Sequence, residues 1–109
     1  MRSVYGWNDG ANFRPTPAAG MANVSVAGTA VDLSATVDGF PNTGTHVMLQ
    51  VEDGPLRYRV DGTDPTTSVG FVVEDGQMVT WSKEMARASR WIRDGSTSGT
   101  LKVQSVRVV

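Results

Sequence analysis

Six Asp-Gly pairs constrain this chain more than any other feature. They fall at 9–10, 38–39, 53–54, 61–62, 75–76 and 94–95, and the last five stand 8 to 19 residues apart. Glycine reaches positive φ without steric cost and the aspartate before it caps the turn backbone, so each pair marks a reversal of extended chain. Short strands punctuated at such intervals predict an antiparallel sandwich or barrel. A βαβ fold would need several amphipathic helices, and the sequence offers none. The expected fold is therefore an all-β antiparallel sandwich of seven or eight strands, jelly-roll-like or Ig-like, over residues 21–109. Residues 1–20 precede it as an extended N-terminal arm.

The segments between turns supply the strands. Residues 22–26 (ANVSV) alternate. Residues 29–37 (TAVDLSATV) place Val31, Leu33, Ala35 and Val37 on one face and predict a half-buried strand. Residues 45–51 (THVMLQV) are nearly continuous in apolar residues and predict a central strand, and 77–81 another short one. Residues 82–90 (SKEMARASR) are the single helix-like piece, with Met85, Ala88 and Ile92 on one face, and allow one or two turns. Arg90-Trp91-Ile92 returns to strand. In the closing strand, 100–109, the apolar phase slips between Val103 and Val106, which predicts a bulge near Gln104-Ser105.

The arm differs from everything after it. It has no sustained period, yet it holds Tyr5, Trp7 and Phe13, three of the chain's eight aromatic residues. Disordered tails are poor in aromatics. Spaced rings on an extended segment, with Arg14 beside them, suit docking into pockets of another surface; folding back to seal the sandwich is the other use of the same letters.

Composition excludes several functions. With 109 residues there is room for one domain. No apolar run approaches the roughly 18 residues that a bilayer span needs, and the N-terminus lacks the apolar centre of a secretory signal. Net charge is −1, split as −3 over residues 1–54 and +2 over 55–109, which argues against nucleic acid as a partner. There is no cysteine, hence no thiolate metal site. His46 is the only histidine and sits within an apolar strand without a second ligand or base. Glu52-Asp53 and Glu74-Asp75 each belong to a Val-Glu-Asp-Gly turn, and adjacent strand residues point to opposite faces. Asp61-Gly-Thr-Asp64 lacks the ligand spacing of a calcium loop. The chain is expected not to be an enzyme and to take no cofactor, metal, membrane or small-molecule substrate. Trp81 and Trp91 suit core packing, with a glycan-stacking platform as the alternative.

Residues 56–71 (LRYRVDGTDPTTSVGF) read as strand, loop and returning strand, with Arg57 and Arg59 on one face and Tyr58 and Val60 on the other. Turn chemistry accounts for Asp61, Gly62 and Pro65, but not for Arg57-Tyr58-Arg59. The pair of guanidinium groups can meet Asp61 or Asp64 or reach a partner's carboxylate. This stretch resembles a family of small tailed-bacteriophage virion proteins that carry an Arg-aromatic-Arg-x-Asp-Gly-x-x-Pro-Thr string. Gly70-Phe71 follows at the family's spacing. Arg90-Trp91-Ile92 and Thr100-Leu101-Lys102-Val103 resemble its later strands. The resemblance covers roughly residues 45–103; residues 1–44 lie outside it, and 82–90 is longer and more basic than the family's short turn.

The resemblance implies a multi-copy, non-enzymatic virion structural protein, above all a capsid decoration or cement protein on the outer head. Its implied partners are the major capsid protein and copies of itself, a trimer suiting a capsid's local three-folds. It would be made in the host cytoplasm and reside on the capsid surface. The expected interface residues are Tyr5, Trp7, Phe13, Arg14, Arg57 and Arg59. A head–tail or tail component and a glycan- or receptor-binding sandwich module are the alternatives.

Overall fold

The computed structural model describes residues 15–17, 21–36 and 44–108. In chain order the elements are β1 (Pro15–Pro17), β2 (Ala22–Val26), β3 (Val31–Asp32), α1 (Leu33–Thr36), β4 (His46–Glu52), β5 (Leu56–Arg59), β6 (Phe71–Val73), β7 (Met78–Ser82), α2 (Lys83–Ala88), β8 (Arg90–Arg93) and β9 (Gly99–Val108). One sheet runs β1/β2-β9-β4-β7 and the other β3-β8-β5-β6, with every pairing antiparallel. β1 and β2 lie end to end along one edge of β9, so the strand segments among the described residues fill eight positions.

Those positions pair first with eighth, second with seventh, third with sixth and fourth with fifth. A chain paired in this way is one long hairpin, and the 60–70 loop is its tip. Rolling it over brings β9 beside β4 and β8 beside β5, which is the jelly-roll order. The sandwich is thus jelly-roll-like and not Ig-like. The four Asp-Gly glycines among the described residues, at 54, 62, 76 and 95, all have positive φ, as the turn reading requires.

The core sits between the sheets. Val47, Leu49 and Val51 of β4, with Leu101 and Val103 of β9, face Leu56 of β5 and Trp91 of β8. β4 alternates half-buried and buried along its whole length, because its outer face carries His46, Met48, Gln50 and Glu52. Each fully buried Leu or Val contributes about 1.5–3 kcal/mol. β4 runs from the end where the helices lie to the end where 53–55 turns. The 60–70 loop, α1, α2 and Pro15 therefore share one end of the sandwich, and the turns at 53–55, 74–77 and 94–98 share the other. α2 begins at Ser82, whose Oγ accepts from the Met85 N–H at 3.3 Å.

Three expectations are corrected. The strand expected over 29–37 is only Val31–Asp32, followed by a helical turn. The Asp32 carboxylate accepts from both the Ser34 N–H at 3.0 Å and the Ser34 hydroxyl at 2.8 Å, an Asx arrangement that starts a helix. Leu33 is buried by this turn; Ala35 and Val37 carry no described side chain. The bulge expected near Gln104-Ser105 is absent, because β4 and β9 keep one register from His46↔Val106 to Glu52↔Thr100. Ser105 holds the inward phase as a buried polar residue, 5% exposed, so no extra residue is needed. In α2 the buried residue is Ala86, while Ala88, expected on the apolar face, is exposed.

Candidate functional site

Residues 56–71 form the tip of the long hairpin, and local chemistry closes it. β5 is held by β6 on one side and β8 on the other. Leu56 and Tyr58 point into the sandwich, Arg57 and Arg59 out of it. The Arg57 Nε–H donates to Asp94 Oδ1 at 2.7 Å and its Nη1–H to the Gly70 carbonyl at 2.9 Å. Arg59 forks onto Asp61, with Nε–H to Oδ1 at 3.1 Å and Nη2–H to Oδ2, while the Thr63 N–H also donates to Asp61. Arg90 Nη1–H reaches Asp64 Oδ1 at 3.0 Å. Each arginine thus ties strand to loop and draws the 60–70 loop back over the outer face. Pro65 is buried there, and Ile92, opposite Arg57, is 6% exposed although it lies outside the interlayer core. Gly70 has φ +139°, and a Cβ there would meet the Tyr58 carbonyl at 3.1 Å and Pro65 Cβ at 3.2 Å.

Two outcomes follow. Arg57→Ala removes a charge-assisted bond and leaves the Gly70 carbonyl without its donor, so an expected loss of about 1–2 kcal/mol should appear in urea unfolding. A loss below about 0.5 kcal/mol would mean the clasp is idle. The second concerns Asp61. Its hydrogen bonds from Arg59 and from the Thr63 N–H lower its pKa, and the same pairing raises that of Arg59. A carboxylate with a depressed folded pKa stabilises above its ordinary range and loses that contribution as pH falls through the folded value. Asp61 is exposed and Arg59 half-buried, and solvent screens the pair, so the effect is small. Asp61→Asn should flatten the decline of melting temperature slightly between about pH 5 and pH 3; an identical slope in the variant would show no coupling.

On the inner face, Tyr58 gathers aromatic rings from three other strands. Its ring centroid lies 4.8 Å from Trp81, 5.0 Å from Trp91 and 5.5 Å from Phe71. Burial raises the Tyr58 hydroxyl pKa. Trp91 is wholly buried and stacks on Trp81 at 5.8 Å, so the tryptophans serve the core and Trp91 offers no glycan platform. The ring series runs outward to Phe71, which is 67% exposed. Among the described residues β6 is the edge strand of its sheet, and Phe71, opposite Tyr58, sits on the sheet's inner face. Val69 and Val72 beside it are also exposed. A cleft of about 490 Å³ opens here, lined by Arg59, Val60, Asp61, Val69, Gly70 and Phe71. An apolar corner on a strand whose outer edge pairs with no strand among the described residues is the kind of surface that association covers.

Of the expected interface residues, Tyr5, Trp7, Phe13 and Arg14 lie outside the described residues. Arg57 and Arg59 stand at the corner but spend their charges inside the chain. Pro15–Pro17, within the expected arm, pair with Val106–Val108 of β9. Sequence reasoning missed Phe71 as a surface group, because its run of apolar neighbours reads as buried strand; its position opposite Tyr58, next to the hairpin tip, is the signal. Among the described residues no cluster of His, Asp or Glu could hold a metal ion, and no helix is long and apolar enough to cross a membrane. Compared with known protein families, curated proteins and solved structures, the chain has no match.

Proposed function

We propose that this chain is a non-enzymatic structural protein of a tailed-bacteriophage virion, a capsid decoration or cement protein that binds the outer head through the major capsid protein and copies of itself. The observation that carries this reading is the apolar corner at Val69, Phe71 and Val72, on the edge of β6 that pairs with no strand among the described residues. Leaving such a group in water is unfavourable, and covering it with a neighbouring subunit removes apolar surface and blunts the strand edge together. The virion-like Arg-Tyr-Arg string supports the same reading. Arg57 holds the Gly70 carbonyl and so fixes Val69 and Phe71 where they are exposed. Jelly rolls also occur in lectins, so the fold contributes by analogy only. Many copies, each adding a modest contact, would hold by avidity.

The test uses heads of the parent phage that lack the chain. Added protein should saturate at on the order of hundreds of copies per head, as a repeating lattice requires. Saturation at about six or twelve would indicate a connector or tail ring instead, and no binding would overturn the reading. Deleting residues 1–14 keeps Pro15–Pro17 on β9 and should abolish head binding while the melting transition stays; unchanged binding would remove the arm from the interface.

A further inference from the structure

We infer that the Phe71 corner is the acceptor for the aromatic N-terminal arm of a second copy of this chain, with Trp7 or Tyr5 entering the cleft beside Phe71. This deepens the structural reading above and rests on it for the premise that copies stand side by side. The placement of the two ends carries the argument. Pro15 enters the sandwich on the β9 side of the first sheet, and Phe71 lies on β6, at the opposite lateral edge. Both are at the end of the sandwich that holds the 60–70 loop and the helices. Copies arranged the same way up around a rotation axis therefore put each Pro15 edge against the neighbour's Phe71 edge, a heterologous contact that closes as a ring.

Length agrees. Trp7 and Tyr5 precede Pro15 by eight and ten residues, which at about 3.3 Å per residue reach roughly 26 and 33 Å. Chemistry agrees as well. The arm carries three rings in its first thirteen residues, and the corner ends an inner series of rings whose last member, Phe71, has one side open. A ring placed there would continue the series at centroid spacings that aromatic pairs prefer.

The chain has no cysteine, so introduced pairs report proximity without background. Asn8→Cys with Val69→Cys keeps Trp7 and Phe71 intact and puts one thiol beside each. Asn8→Cys with Glu74→Cys is the control, because Glu74 is exposed at the other end. Under mild oxidation of the full-length chain without heads, the first pair should form intermolecular dimers and trimers at least about tenfold faster than the control. Adding Phe71→Ser, at an exposed position whose loss leaves the fold in place, should return the rate to the control's. Closure of the first pair within one chain, or cross-linking no faster than the control, overturns the inference. Because no head is present, either failure leaves head binding to be decided on its own.

Discussion

Trp91→Ala is expected to destabilise the domain by about 3–5 kcal/mol, which lowers the urea midpoint by roughly 2–4 M. Trp91 is the largest wholly buried side chain among the described residues, and its ring touches Tyr58 of the neighbouring strand β5 and Trp81 of the facing sheet. Its indole N–H donates to the Ser89 hydroxyl at 2.9 Å, and that hydroxyl donates onward to the Ala86 carbonyl at 2.7 Å. Ser89 is itself wholly buried, and its carbonyl accepts from the Leu33 N–H at 3.2 Å. Alanine therefore opens a cavity at the centre of the sandwich and weakens the joint that docks α1 and α2 against β8. Trp91→Phe keeps part of the ring contact but loses the indole bond and leaves a small cavity where the second ring stood, so it should cost about 2–3 kcal/mol. Circular dichroism followed through urea unfolding measures both. A midpoint shift below about 1 M for Trp91→Ala would show that the core refills the space.

The order of strands along this chain could be read from its letters, and the reason is local. Asp-Gly turns and alternating runs are decided by φ/ψ preference and the period of two, neither of which needs a partner. β4, β5, β7, β8 and α2 stand close to where that reasoning puts them. It fails where a side chain outcompetes the pattern, as when Asp32 caps a helical turn within TAVDLSATV. It fails again at Ser105, a polar residue the core accepts in a position where alternation asks for an apolar one. What no local rule supplies is which strand lies beside which. Arg57 was open to Asp61 or Asp64 as intramolecular partners. It takes Asp94 instead, 37 residues away, because β8 returns beside β5. Asp64 is left to Arg90 from that same strand. The exposure of Phe71 has the same origin: Val73, two residues on, faces the same interior and is 5% exposed. Both belong to the same short edge strand, so the candidate surface becomes visible only once the sheets are stacked.

Glycine shows the same divide at the level of single atoms, and it yields the second large effect. Gly99 stands in a Ser-Thr-Ser-Gly stretch that reads as polar loop, with no turn aspartate before it. Yet a Cβ at Gly99 would lie 2.7 Å from the Gly54 carbonyl oxygen, 2.9 Å from Leu56 Cδ2 and 3.2 Å from the Glu52 carbonyl oxygen. Two of the three are backbone, so no side-chain rotation relieves them. β9 is fixed at this point by β2, since Gly99 pairs with Val26, and the 53–55 turn is fixed by β4 and β5. Gly99→Ala must push these apart, and the expected cost is about 2–3 kcal/mol. Gly95→Ala is the comparison. Gly95 belongs to an Asp-Gly pair and has φ +71°, but a Cβ there meets nothing within 4 Å. Its substitution pays only for the left-handed backbone, about 1 kcal/mol. The glycine with the plain turn signature should therefore be the more tolerant of the two. Urea midpoints for the two single variants measure the order directly. A Gly95→Ala protein less stable than Gly99→Ala would mean that the close approach of the 53–55 turn to β9 relaxes at little cost, and that turn conformation, not packing between turns, limits this end of the sandwich.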